Sequence, residues 1–148
     1  MHDTPVEIRR GDFIISTDRA RIDVDAALTL LCATHWAAGI TRVGLARAIA
    51  NSVCFGMYHA VHLIGLGRAV TDLATYAYWT DVVIAPEYRG RGLGRWLSEC
   101  MLNHPDLQGL RRVALLTRDA AGLYRQLGFG EGPGSLIYME LRPAGDPA

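Results

Sequence analysis

The chain has 148 residues, half of them hydrophobic, enough for one domain spanning 1–148 around one sizeable core. Its 15 basic residues balance 15 acidic ones, and no basic run stands out, so charge gives no support to a nucleic-acid partner. The N-terminal M-H-D-T-P-V-E-I-R-R lacks the apolar segment of a signal peptide, and no stretch approaches the roughly 20 apolar residues of a membrane span.

Cys32, Cys54 and Cys100 are odd in number, lie far apart and show no metal-ligand spacing. Each sits in an apolar context that predicts a buried thiol. A reducing, cytoplasmic setting without a metal is the expectation. All the basic residues are arginines, so the protein has no lysine side chain of its own to acetylate.

In chain order, Phe13–Ser16 reads as a short strand. Asp23 is placed to cap a helix carrying Leu28, Leu31 and Cys32 and ending near Gly39. Thr41 caps a second helix through Ala50, with Val43, Ala46, Ile49 and Ala50 on one side. Val53–Tyr58 and His62–Val70 form a hairpin that turns at His59-Ala60-Val61, and Thr75–Ile84 is a longer strand rich in aromatic and β-branched residues. Strict alternation sets Tyr76, Tyr78, Thr80, Val82 and Ile84 on one face and Asp81 on the other, unless a bulge re-aims it. Leu93, Trp96, Leu97, Cys100 and Met101 have the spacing of one helical face. Arg112–Thr117 reads as a buried strand, Asp119 as the cap of a helix stopped by Gly128, and Ser135–Leu141 as a final strand. Only 143–148 looks like a loose tail.

The most informative segment joins the long strand to the third helix. After Pro86-Glu87-Tyr88 comes R-G-R-G-L-G, Arg89 to Gly94. Glycines at 90, 92 and 94 allow a tight turn and close approach of a ligand to the backbone. The first amides of the helix lack partners within it, and the helix dipole adds partial positive charge, so phosphate is the natural ligand. A dinucleotide-binding loop would follow the first strand, with an acidic residue roughly 20 positions on ending a second parallel strand. Here the loop lies past the midpoint of the chain, which argues against that fold.

The run V-V-I-A-P-E-Y-R-G-R-G-L-G-R-W-L resembles the acetyl-CoA-binding segment of the GNAT superfamily of N-acetyltransferases, with Arg89, Gly92 and Gly94 at the motif positions. A-A-G-L-Y-R-Q-L-G-F, Ala120 to Phe129, resembles the second signature of the same superfamily. The resemblance implies a mixed, mostly antiparallel sheet flanked by about four helices. It also implies an acetyl-CoA co-substrate and a small-molecule or peptide amine as acceptor. Val82, Val83 and Ile84 would hold the pantetheine arm through their backbone, with the amide of Ile84 facing the developing oxyanion. Gly90, Arg91, Gly92, Leu93, Gly94 and Arg95, with Arg89, would take the pyrophosphate. Tyr124 matches the position of the general acid in many relatives, and a phenol with an ordinary pKa of about 10 carries its proton at neutral pH. Asp81 is the catalytic carboxylate candidate if a bulge turns it, but no general base is assigned: Tyr78 stands where the histone-acetylating relatives have glutamate, and Arg112 stands where the ribosomal-protein-acetylating relatives carry theirs. Thr117, where several relatives have asparagine, departs from the family pattern in the hydrogen bonding around the sulfur near Tyr124. The acceptor region of this fold would comprise His35, Trp36 and the bend at Gly39-Ile40-Thr41, facing Tyr58, Tyr76 and Tyr78, with Arg68 and Asp72 as charged candidates. Two other readings follow from the same motifs, a non-catalytic acyl-CoA sensor and an acetylator of aminoacyl-tRNA; zero net charge disfavours the second. Family habit also makes a homodimer through Ser135–Leu141 an expectation.

Overall fold

The computed structural model describes residues 4–34 and 39–145. The chain divides into two compact units, Met1–Leu116 and Thr117–Ala148. The first holds a six-stranded sheet in sequential order: β1 (Glu7–Arg10), β2 (Phe13–Ser16), β3 (Val53–His59), β4 (His62–Thr71), β5 (Tyr76–Ile84) and β6 (Arg112–Leu115). Every neighbouring pair is antiparallel except β5 and β6, which run parallel. Three helices belong to this unit, α1 (Val24–Cys32), α2 (Arg42–Ala50) and α3 (Leu93–Leu102); the second unit contains α4 (Ala121–Gln126). This is the mixed, mostly antiparallel α/β architecture that the sequence motifs imply.

Local chemistry explains most element boundaries. The Asp23 carboxylate accepts from the amides of Asp25 and Ala26, and the Thr41 hydroxyl accepts from Gly44, so both expected caps are in place. α1 ends at Cys32, well before Gly39, because Thr34 turns back: its amide and its hydroxyl both donate to the carbonyl of Leu31. On α2 the buried face is Leu45 and Ile49, one turn apart; Val43, at the first turn, is exposed rather than aligned with them. β1 was not among the expected strands. Its signal is Gly11-Asp12, a two-residue connection in which Gly11 takes φ +58°.

The sheet buries both faces. Ile22, Ala27, Leu31, Leu45, Ile49, Cys54, Leu66 and Val83 form the core shared with α1 and α2. On the opposite face α3 packs close because β4 carries glycines there. A Cβ on Gly67 would stand 2.7 Å from Met101 Sδ, and one on Gly65 would stand 2.9 Å from Ile84 Cδ1. All five residues of the expected apolar stripe on α3 are buried. Burial pushes the Cys54 thiol up to about 12 and that of Cys100 up to about 11, so neither is a ready nucleophile. Cys32, expected inside, is exposed at the last turn of α1.

Three expectations fail toward the C-terminus. β6 stops at Leu115 and is only partly covered, with Leu116 exposed, because among the described residues it pairs on one side only. Asp119 does not cap α4: Ala120 is the cap residue, and its amide donates to Thr117 Oγ1 at 3.0 Å. Ser135–Leu141 is irregular and exposed. Its alternation suits a strand, but no ladder among the described residues includes it, and an unpaired strand has no hydrogen bonds to hold it extended. Local bonds serve it instead, from Tyr138 Oη to Glu140 and from Arg142 Nε to Glu140, both 2.9 Å.

The close seat of α3 gives a direct test. Gly67→Val should lower the unfolding free energy by about 1–3 kcal/mol, the usual cost of overpacking. Adding Met101→Ala should return part of that loss in urea denaturation; no recovery would mean that the glycine serves something other than helix approach.

Candidate active site

The site is built on β5, whose two ends have different neighbours. Tyr76 to Trp79 pair with β6, while no ladder continues past Trp79 on that side among the described residues. The other side of β5 is paired with β4 along its length, with a register break between Leu66 and Arg68. Arg68 stands opposite Thr80 and Leu66 opposite Val83, so Gly67 faces two residues, Asp81 and Val82. That is a β-bulge, and Asp81 has φ +56° within it.

The bulge changes which side chains share a face. Cross-strand partners point the same way, so Tyr78 and Thr80 lie with Val70 and Arg68, and Val83 lies with Leu66. Ile84 lies with Gly65 on the face of α3. The strict alternation that put Tyr76 through Ile84 on one face is therefore broken at Asp81. The bulge falls at Asp81, the residue that the sequence reading allowed a bulge to re-aim.

The register also orients the backbone. Ala85 N–H donates to the carbonyl of Ile64 at 2.7 Å, which makes Ala85 and Ile64 a hydrogen-bonded pair. Antiparallel pairs alternate, so the N–H and C=O of Ile84 point away from β4, toward the side that β6 leaves open. A second observation agrees: Ile84 O accepts from Arg89 Nε at 3.1 Å. Two residues earlier, Val82 presents its backbone to the same edge, while Val83 packs into the core with α1 and α2.

The strand then enters the glycine loop. After a single helical turn at Pro86–Tyr88, Gly90 and Gly92 adopt φ +78° and +75°, a conformation that favours glycine. Gly92 is the N-cap of α3 and offers no side-chain cap; the first helical bond runs from Trp96 N–H to Gly92 O at 3.1 Å. The amides of Leu93, Gly94 and Arg95 therefore have no helical acceptor. A Cβ at Gly90 or Gly92 would meet nothing within 4 Å, so the loop faces open space. Arg89, Arg91 and Arg95 are all exposed around it, with Arg95 Nε bonded to Glu99 at 3.0 Å. Gly94 touches the strand, since a Cβ there would sit 3.7 Å from Ile84 Cγ1. Open main-chain donors on a helix start, with cations nearby, are the donor set that a diphosphate requires.

Asp81 is buried, and its Oδ2 accepts from Arg68 Nε at 2.9 Å; Arg68 Nη1 also donates to Ser52 Oγ at 2.9 Å. The side chains of the pair are only 12% and 7% exposed, so it is a buried ion pair at the bulge. The sequence held a signal for it, an arginine and an aspartate in the interiors of adjacent apolar strands. Asp72 recognises its own turn. Hydrogen bonds from the Thr75 hydroxyl and then from the amides of Thr75, Ala74 and Tyr76 hold its carboxyl well below the usual range.

Of the expected acceptor residues, His35 and Trp36 lie outside the described residues. Tyr58 and Tyr78 do not meet: Tyr58 pairs with Leu63 beside the hairpin turn, and Tyr78 with Val70 at the far end of β4. Tyr58 is buried beneath the Arg21 guanidinium, 4.6 Å from its ring, and burial pushes its phenol up to about 12. His59 Nδ1 lies 2.8 Å from Tyr88 Oη. In the second unit Tyr124 is buried on α4, with its ring edge-on to Phe129 at 5.6 Å. The helix closes through Phe129 N–H on Tyr124 O and Gly128 at φ +100°. Among the described residues no group of three or more His, Cys, Asp or Glu is placed to hold a metal, and no helix is long and apolar enough to cross a membrane.

A bulged strand with no ladder past Trp79 on one side among the described residues, running into a helix start without a side-chain cap, is the feature that sets this α/β protein apart. Comparison with known proteins gives the family. Residues 50–131 match the model of the acetyltransferase (GNAT) domain. A Gibberella zeae protein named as an acetyltransferase is 36% identical, the alignment covering 93% of this chain and 86% of that one. A crystal structure from Xanthomonas campestris, described as a GNAT-family acetyltransferase, is 39% identical with a TM-score of 0.82, covering 87% of this chain and 93% of that one. A Clostridium acetobutylicum acetyltransferase solved with acetyl-CoA shares the fold at a TM-score of 0.65 and 15% identity, over 88% and 94% of the two chains. The chain belongs to the GNAT family of acetyltransferases.

The ion pair at the bulge is testable by stability alone. Asp81→Ala leaves the Arg68 guanidinium buried without its counter-charge and should cost about 3–5 kcal/mol in chemical denaturation. Arg68→Met combined with Asp81→Asn should lose clearly less, and an equal loss would show that charge burial is not the issue.

Proposed function

We propose that this chain transfers an acetyl group from acetyl-CoA to a primary amine, of a small molecule or a peptide, by direct attack. The observation that carries the reading is the continuity of the open Val82–Ile84 edge with the start of α3, where the amides of Leu93 and Gly94 have no helical acceptor. The Clostridium neighbour was solved with acetyl-CoA, which supports the choice of donor.

Acetyl-CoA supplies an acyl carbon already activated as a thioester; the amine nitrogen bonds to that carbon as the carbon–sulfur bond breaks and the sulfur keeps the electron pair. In this reading the protein has three tasks. The backbone of Val82 and Ile84 pairs with the pantetheine amides as a strand would, and the Ile84 N–H stabilises the carbonyl oxygen as it gains charge. The amides from Gly90 to Arg95, with Arg89 and Arg91, bind the pyrophosphate and fix the register of the whole carrier. Tyr124 gives a proton to the departing sulfur, a role assigned on its Leu-Tyr motif. Asp81 enters as a positioning residue: its carboxylate, engaged by Arg68, fixes the bulge that turns the backbone of Val82 outward. A dedicated base is not required in this reading: the amine arrives deprotonated from water, and the proton its nitrogen sheds after the carbon–nitrogen bond forms passes to solvent, from which the Tyr124 phenolate recovers the one it gave to sulfur. Three free thiols support a reducing, cytoplasmic setting.

Incubation with acetyl-CoA and a pooled amine and peptide library, read by mass spectrometry and by free thiol, tests the whole reading. An acetylated product with acceptor-dependent thiol release is expected. Gly92→Val, strained at positive φ, should abolish CoA binding while the protein stays folded. Tyr124→Phe should slow turnover by roughly ten- to a thousandfold at nearly unchanged CoA affinity. Binding of CoA with no acceptor modified, and indifference to Tyr124→Phe, would favour the acyl-CoA sensor instead.

We infer a second copy of the chain as the partner of 136–141. Ile137 and Leu141, 85% and 97% exposed, lie in a run with Leu136, Tyr138 and Met139, more apolar surface than an isolated irregular segment normally presents. Sedimentation should give a dimer, and Ile137→Glu with Met139→Glu should make it a monomer; a wild-type monomer at tens of micromolar would end this inference.

A further inference from the structure

Tyr88 precedes the glycine loop, and its ring has a neighbour on two sides. On one, His59 Nδ1 lies 2.8 Å from its hydroxyl, and the two rings meet edge-on at 5.5 Å. Phe13 completes the group, 5.1 Å from the His59 ring and edge-on to Tyr88 at 6.1 Å. Phe13 and His59 are cross-strand partners on β2 and β3, so this anchor is part of the sheet. On the other side, the Arg91 guanidinium lies over the Tyr88 ring, 5.2 Å from its centroid. Among the described residues no carboxylate pairs with Arg91, in contrast to Arg95 with Glu99.

We propose that Tyr88 is a positioning residue for donor binding: held by His59 and Phe13, it orders Arg91 beside the phosphate-binding amides. The inference rests on the acetyl-CoA reading above. Its physical content is preorganisation. A free arginine on a loop has several rotatable bonds, and binding a diphosphate would have to still them. Stacking on an aromatic ring uses the flat face of the guanidinium and leaves its in-plane N–H donors available to phosphate oxygens. The hydroxyl bond to His59 fixes the ring itself, so the orientation of a loop side chain is set by two residues of the sheet. The role concerns the phosphate end of the donor, distant from bond making, and so affects affinity.

Calorimetric titration of CoA into the full-length protein tests this without knowledge of the acceptor. Tyr88→Ala should weaken CoA binding about three- to fivefold, the range of an exposed cation–π contact. Tyr88→Phe loses the bond to His59 but keeps the ring, its edge contacts and the guanidinium contact, so its loss should be smaller than that of Tyr88→Ala, within about twofold of the unmodified protein. In an Arg91→Ala background, Tyr88→Ala should bring no further loss, because the two residues act through one contact. If Tyr88→Ala does not fold, Tyr88→Leu takes its place in the same cycle with the same outcomes. Unchanged affinity on removing the ring, or an equal loss with and without Arg91, overturns the proposal while leaving the acetyl-CoA reading intact. Failure of the unmodified protein to bind CoA overturns both.

Discussion

Two charged side chains buried between apolar strands meet at the point where β5 changes character. Arg68 and Asp81 bond across the β4–β5 register break, and Ser52 takes a second guanidinium nitrogen. Burying either charge alone would be costly, so the pair holds together, and with it the residue at φ +56°. Everything downstream inherits that arrangement. Val83 reaches the α1–α2 core, Ile84 reaches the side of α3, and the outward backbone of Ile84 is fixed by the pairing of Ala85 with Ile64. A straight β5 would exchange those faces and remove the core residue or the contact with α3.

α3 couples this strand to the loop that follows. Its buried stripe sits against β4 where glycines leave room, and its first turn meets Ile84 through Gly94. Arg89 adds a tie from the loop back to the Ile84 carbonyl. The strand edge and the start of α3 are therefore joined by packing at Ile84 and by one hydrogen bond. That mechanical link underlies the proposal that a single elongated ligand is held by both.

The glycine loop was legible in sequence because its signal is local: glycine spacing, the preceding apolar run and the helical stripe are all read within twenty residues or so. The caps at Asp23 and Thr41 were legible for the same reason. What escaped depends on partners distant in sequence. Whether β5 bulges is a property of the β4–β5 pairing, and the salt bridge needs residues 68 and 81 to meet across that register break. The Tyr88–His59 bond spans 29 positions. Ser135–Leu141 shows the converse error: its alternation is real, but periodicity says what face a strand would have, not whether an edge is there to receive it. Val43 failed because a stripe inferred from apolar residues alone can be rotated by one neighbour, and Leu45 with Ile49 marks the true buried line.

The open edge of β5 presents peptide groups, which every residue type except proline supplies alike. On the proposed binding mode, substitutions at positions 82 and 84 would be limited by strand propensity and packing, not by ligand chemistry. The loop obeys the opposite rule, because Gly90 and Gly92 occupy backbone conformations that side chains resist. A seat divided in this way, if the proposal holds, would accept many side chains along the strand while admitting few at two turns.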